Sequence, residues 1–255
     1  MEILAHTRIT IWEGASLWLV DAVPGAQRSR QQTDVHAHHA IQVVISLGGT
    51  FRLETDRRAV SGDVAAIAAD APHWFEAEGP IALVFIEPES RAGRAIRRTL
   101  FEQDALAAPP CTFVEDFRAS LRSAGPGQAD PAVAEAGRDL IKRMAGDGPS
   151  HALDWRVGRM IAYAADHIDG PVTLADVVSL TRVSAGRLSH LFVEQTGLPF
   201  RTYVLWLRLS RAVEAMSAGA SLTEAAHQAG FADSSHFSRT FRRMFGVAPA
   251  SLRMA

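Results

Sequence analysis

One pattern occurs twice in the C-terminal part of this 255-residue chain. VTLADVVSLTRVSAGRLSHLFVEQTG (Val172 to Gly197) and SLTEAAHQAGFADSSHFSRTFRRMFG (Ser221 to Gly246) align with Leu174 on Leu222. After one extra residue in the second turn, Leu188 falls on Phe237, Phe192 on Phe241 and Gly197 on Gly246. Each copy predicts a short helix opened by a capping hydroxyl (Thr173, Ser221), a tight turn, a second helix and a closing glycine. Between them PFRTYVLWLRLSRAVEAMSAG (Pro199 to Gly219) is apolar-striped and long enough for one connecting helix. Such a chain is confined to two helix-turn-helix units held apart by a stiff spacer.

The second helix of each unit carries one apolar stripe: Leu188, Leu191 and Phe192 in the first, Phe237, Phe241 and Phe245 in the second. The opposite faces are short, polar and basic. Gly186, Arg187, Ser189 and His190 lie there in unit one, and Ser234, Ser235, Ser238, Arg239 and Arg242 in unit two. A helix with a buried seam and a narrow, donor-rich outer face fits a DNA major groove. A lone unit is equally well read as an ordinary helical domain with a solvated basic face; duplication across a spacer favours DNA. Net charge agrees once the chain is divided. From Trp155 onward there are eleven Arg against seven acids, or +4, and the first 154 residues carry fifteen basic and twenty-one acidic side chains, or −6, together −2. The positive charge sits with the repeated units.

From about Trp155 to Arg253 the sequence resembles the DNA-binding domain of AraC/XylS-type transcription regulators. The resemblance rests on Leu207, Arg208, Leu209 and Ala212 in the connecting helix and on GF-x-D-x-S-x-F-S-R-x-F-R-R-x-F-G-x-x-P from Gly230 to Pro249. Val178 and Arg182 depart from the small residues usual in the first unit, so that unit is expected to pack less closely. The resemblance implies base-edge contacts from Gly186, Ser189 and His190, with Arg187 on a base or a phosphate, and from Ser234, Ser235, Ser238 and Arg239. Arg239 is the side chain suited to a bidentate guanine contact. Two units on one chain address adjacent major-groove segments about 34 Å apart.

Residues 1 to 90 read as short strands separated by Gly and Pro turns: Ile9 to Trp12, Ser16 to Val20, His36 to Gly49, Phe51 to Thr55, Val60 to Trp74 and Ile81 to Pro88. This predicts an antiparallel sandwich or barrel. The order His-x-His, a polar residue four positions on, a glycine turn, Gly-Asp and Pro-His resembles the cupin-like sensory jelly roll of AraC-type regulators. On one strand His36, His38 and Gln42 would share a face, with His39, Ile41, Val43 and Ile45 on the other. His73 and Trp74 would join the first group. Three uses of that cluster stand side by side: a divalent transition metal held by His36, His38 and His73, a small organic ligand held by His36, His38, Gln42, His73 and Trp74, or histidines satisfied by neighbouring carboxylates and carbonyls. Gln42 stands where metal-binding cupins commonly have a Glu.

Residues 91 to 150 read as helices, Ala92 to Gln103, Phe113 to Ala124 and Pro131 to Gly146, destined for a dimer contact or for the barrel wall. Residues 151 to 255 form the DNA-binding part, opened by Asp154 as a helix N-cap. The fold class expected is α+β: an antiparallel jelly roll, then helices, then an all-α domain with two helix-turn-helix units. Cys111 is the lone cysteine, which excludes an internal disulfide framework and suits a buried small hydrophobe in a reducing compartment. No signal peptide is evident and no apolar run approaches the roughly 18 residues of a membrane span, so a cytoplasmic protein is expected. No nucleophile–base arrangement stands out, and an enzyme is not expected. The runner-up is a metal-dependent cupin enzyme fused to a helical module; a constitutive DNA binder with no effector is a third reading. Expected partners are double-stranded DNA at a promoter operator, a small-molecule or metal effector, a second copy of the chain, and RNA polymerase.

Overall fold

A computed structural model describes residues 5–22, 31–32, 34–124, 130–148, 152–181 and 183–254. Contacts divide the chain into two compact units, residues 1–150 with 242–255, and residues 151–241. The class is α+β. Residues 125–129 and 149–151, most of residues 25–33, and Arg182 fall outside the described residues.

In the first unit the strands are β1 (Ala5–Trp12), β2 (Ala15–Ala22), β3 (Gln31–Gln32), β4 (Ile41–Ser46), β5 (Thr50–Glu54), β6 (Ala59–Gly62), β7 (Val64–Ile67), β8 (Trp74–Glu78), β9 (Ile81–Ile86), β10 (Leu106–Ala107) and β11 (Leu252–Met254). They form one sheet in the order β10-β7-β4-β9-β2-β1-β11 and a second in the order β3-β8-β5-β6. Pairing is antiparallel except between β1 and β11. β5 alternates as a half-buried strand does, with Phe51 and Leu53 inward. β4 is buried on both faces, which is why its sequence IQVVIS shows no clean alternation.

Ile41, Val43 and Ile45 on one face of β4 pack with α1 (Arg91–Leu100), α2 (Cys111–Ala124) and α3 (Asp130–Ala145) through Ile96, Phe117, Leu140 and Ile141. Of the two destinations open to these helices, their apolar sides take the sheet. Each such side chain contributes roughly 1.5–3 kcal/mol of burial. Arg118 on α2 adds a directional tie, its Nε donating to the Ser46 carbonyl at 2.8 Å. Cys111 is exposed at the start of α2, not buried, because it lies in the first turn, ahead of the apolar stripe that begins at Val114.

The second unit is built on α4 (Trp155–Asp166), α5 (Leu174–Thr181), α6 (Ala185–Thr196), α7 (Phe200–Ser217), α8 (Leu222–Gln228) and α9 (Ser234–Phe245) up to Phe241, the last turn of α9 counting with the first unit. The predicted starts have their caps. The Asp154 carboxylate accepts from Arg156 N–H at 2.9 Å, and Ser221 with Glu224 forms a reciprocal capping box. Ahead of α5 the roles reverse, since the Thr173 N–H and hydroxyl both donate to the Asp176 carboxylate, at 2.7 and 2.8 Å. Leu188 and Phe192 of α6 are fully buried with Val157, Met160, Val177 and Tyr203, and half-buried Val178 packs on the edge of that cluster.

Candidate functional site

Two sets of residues carry chemistry, one in each unit. On α6, Gly186, Arg187 and His190 are exposed and Ser189 is half-buried, all turned away from Leu188 and Phe192. An added Cβ at Gly186 would meet nothing within 4 Å, so no packing demands a glycine there. On α9, Ser235 and Arg239 are exposed, while Phe237 and Phe241 are fully buried. Ser234 and Ser238 are half-buried, and the Ser238 hydroxyl donates to the Ser234 carbonyl at 2.7 Å, so its proton is spent within the helix. The Asp233 carboxylate caps α9, accepting from His236 N–H at 2.6 Å; that backbone hydrogen bond, ahead of the charge of Arg239, holds its pKa below the usual value. Arg242 is exposed and pairs with Asp34 at 2.9 Å.

Behind these faces, Arg208 of α7 donates through Nε to the Ile168 carbonyl at 3.2 Å and through a terminal nitrogen to the Gly170 carbonyl at 2.6 Å. These carbonyls follow the end of α4 (Trp155–Asp166), where backbone acceptors have no partner within the helix. Gly230 lies against the same point with φ +71, and a Cβ on it would stand 2.4 Å from the Ile168 carbonyl oxygen. The glycine of the sequence signature is thus demanded twice, by backbone conformation and by space.

In the first unit His36, His38 and His73 converge. The convergence does not come from a shared strand, because β4 begins only at Ile41. Instead His36 and His73 form an isolated antiparallel bridge, N–H to carbonyl at 3.0 and 2.9 Å in the two directions. The rings stand 4.2 Å apart for His36 and His73, 5.1 Å for His38 and His73, and 5.8 Å for His36 and His38. All three are buried, and Phe85 meets His38 edge-on at 5.2 Å. Gln42, first on its face of β4, places Oε1 2.7 Å from His38 Nε2. Trp74 opens β8 half-buried, and described ring contacts join the histidines to one another, to Phe85 and, from His38 at 6.0 Å, to Phe245.

Each histidine turns Nδ1 to a main-chain carbonyl: His36 to Asp34 at 2.7 Å, His38 to Ala40 at 3.1 Å, His73 to Ala71 at 2.9 Å. A carbonyl only accepts, so Nδ1 carries the proton and Nε2 keeps its lone pair. Burial, then the neighbouring His38, lowers the His36 pKa to about 4. His73 is depressed further by burial and by His38 and His36, and His38 is depressed chiefly by burial. The cluster is neutral at physiological pH.

His39 has the opposite fate, which no local pattern in the sequence signals. Its Nδ1 donates to the Asp70 carboxylate at 2.7 Å and its Nε2 to Glu89 at 2.9 Å. Burial pulls its pKa down, but Asp70 and Glu89 outweigh that and raise it to about 9, so the ring is an imidazolium. Asp70 holds left-handed backbone, φ 62, where aspartate is among the better-tolerated residues. Its N–H donates to the His38 carbonyl at 2.9 Å, which fixes the chain beside the three-histidine cluster.

A model of a helix-turn-helix domain matches residues 177–255. The transcriptional activator RhaS of Escherichia coli (strain HS) is 34% identical over 99 residues, 38% of this chain and 36% of RhaS. RhaS of Citrobacter koseri is 29% identical over 150 residues, 55% of this chain and 53% of that protein. The chain therefore spans between about a third and a half of these relatives. Among solved structures, an apo form of a ToxT point variant of Vibrio cholerae matches 94% of this chain and 97% of its own at TM-score 0.62 and 15% identity. A ToxT structure with an unsaturated fatty acid bound matches 94% and 95% at TM-score 0.54 and 14% identity. Residues 177–255 thus match a helix-turn-helix domain, that part of the chain is similar to the transcriptional activator RhaS, and over nearly its whole length the chain is similar in fold to ToxT.

Proposed function

We propose that this protein is a sequence-specific DNA-binding transcription regulator whose activity is modulated by a ligand held in its first unit, at His36, His38, Gln42 and His73. The observation that carries the DNA half is the duplicated helix face. In both α6 and α9 the apolar stripe is buried while Gly186, Arg187 and His190, or Ser235 and Arg239, remain exposed. A long, exposed guanidinium suits a bidentate guanine contact, and short neighbours let the helix backbone approach the bases. Ser238 is better suited to close approach than to donation, since its hydroxyl is already committed. Arg242 either leaves Asp34 to reach a phosphate or stays paired, and we assign it no base.

Ligand control is supported by the buried polar cluster and, as a property of the fold, by the fatty acid bound to ToxT; that ligand itself is not carried over. The amide of Gln42 among the polar groups favours a sensor over a catalyst, and we read the chain as a regulator and not an enzyme. Among the described residues no helix is long and apolar enough to cross a membrane, and a DNA-binding protein of this kind belongs in the cytoplasm. A homodimer and a contact with RNA polymerase belong to the same reading, carried by the resemblance alone.

The test is selection of genomic DNA fragments on the purified chain, followed by footprinting. Two units about one helical turn apart protect roughly two turns per protomer. Failure to enrich any fragment over bulk DNA would refute the proposal.

A further inference from the structure

We propose that the cleft between the β1–β2 turn, the start of α1 and the end of α3 is a second binding site, apart from the histidine cluster, for a small organic monoanion: a carboxylate carried on an apolar body.

Shape is the first support. The cleft measures about 720 Å³, inside the range of about 300–1,000 Å³ usual for small-molecule sites, and it lies wholly in the first unit. Its floor is apolar, from buried Ala95 and Ile141, and one wall is the half-buried ring of Trp12. That wall is held in place. A Cβ at Gly137, inside α3, would stand 2.5 Å from Cη2 of Trp12, so the ring lies directly on the helix backbone. Glycine in a helix interior disfavours the helix, and here it makes room for the ring. The turn that carries Trp12 is fixed as well, because the Gly14 carbonyl accepts from the Glu87 N–H at 2.9 Å. Walls set before binding leave little to be ordered when a ligand enters.

Charge is the second support. At the cleft Arg91, Arg138 and Lys142 stand with Glu13 and Asp147, so cations outnumber carboxylates by one. This excess sits in a stretch, the first 154 residues, whose net charge is −6. Among the described residues the exposed side chains of Arg91 and Lys142 have no hydrogen bond or ion pair. Arg138 pairs with Glu135 at 2.8 Å, an i,i+3 contact between exposed groups that holds it weakly. Its guanidinium carbon also lies 5.7 Å from the centroid of the Trp12 ring, so an anion on Arg138 brings its own body against that ring. The first turn of α1 holds no acidic residue, and that end of a helix favours negative charge.

Together these fix the class. One carboxylate neutralises the excess of one positive charge, and a guanidinium fork takes it in bidentate fashion. An inorganic dianion would overshoot that charge and leave Trp12 and Ile141 uncovered. A neutral apolar molecule would leave the cations unmatched.

The test titrates the full chain with 3-phenylpropionate, and with its neutral amide as control. The indole N–H signal of Trp12, assigned by its loss in Trp12→Phe, reports binding at the cleft. For a fragment of this size a dissociation constant on the order of a millimolar or tighter is expected. The amide should bind at least about tenfold more weakly, and so should the acid to the double variant Arg91→Gln with Lys142→Gln, whose circular dichroism should match the parent. If Lys142 served only to offset the negative end of α3, acid and amide would bind alike. An unmoved Trp12 signal at about ten times the expected constant, equal binding of the amide, or undiminished binding by the double variant overturns the proposal. A Trp12 shift produced by a DNA duplex and not by the acid also overturns it, in favour of a contact with the phosphate backbone.

Discussion

His39 gives the account a quantitative handle. It is 2% exposed between Glu89, 6% exposed, and Asp70, 36% exposed, and its pKa is raised from 6.5 to about 9. A group whose folded pKa lies above its unfolded value stabilises fully below the unfolded pKa and loses that contribution as pH rises through the folded one. The window is therefore pH 6.5 to about 9. At about 1.4 kcal/mol per pH unit this amounts to roughly 3 kcal/mol, reduced to about 2–3 because Asp70 is partly solvated. The perturbation is His39→Gln, which retains polar contacts with both carboxylates but not the charge. Urea unfolding is read in a background with Trp155 and Trp206 changed to Phe, so that fluorescence reports the first unit through Trp12, Trp18 and Trp74. The parent should exceed His39→Gln by about 2–3 kcal/mol more at pH 6 than at pH 10. A pH-independent difference, or an NMR titration placing the His39 pKa at or below 6.5, would refute the reasoning.

Other substitutions test the second unit. Gly230→Ala must place a Cβ against the Ile168 carbonyl at positive φ, and should cost more than the roughly 1–2 kcal/mol of left-handed backbone alone, measured by thermal unfolding. Gly186→Ala should stabilise α6 by about 0.5–1 kcal/mol yet weaken operator binding; tighter DNA binding would remove Gly186 from the interface. Arg239→Ala should cost about 1–3 kcal/mol at one base position and relax specificity there, read by competition with single-base operator variants. Phe192→Ala should cost about 3–5 kcal/mol and take DNA binding with it, since the unit collapses around Phe200 and Tyr203.

The helical part was legible because its signals are local. Caps at Asp154 and Ser221, stripes at helical spacing and the Gly230 signature each act within a few residues, and the structure repeats them. In the first unit the sequence located the histidines and Gln42 but misjudged how they meet. A strand from His36 would have aligned them by parity; the chain instead enters β4 five residues later, and His73 reaches His36 through a backbone bridge across 37 positions of sequence. His39 illustrates the limit. Its partners Asp70 and Glu89 lie 31 and 50 positions away, and no periodicity links them. Cys111 was assigned by residue type, whereas its place ahead of the α2 stripe decides its exposure.

The central claim is that occupancy of the buried site governs DNA recognition. The most direct measurement is the affinity of the purified chain for its selected operator with saturating Zn(II), an ion that three buried imidazoles can hold, and with chelator, beside the same pair for His73→Ala. Coupled sites typically differ by about 5–150-fold, so the parent should shift by at least about fivefold and the variant should not respond. Equal affinity in both conditions, with zinc demonstrably bound, would contradict the claim and leave a constitutive DNA binder.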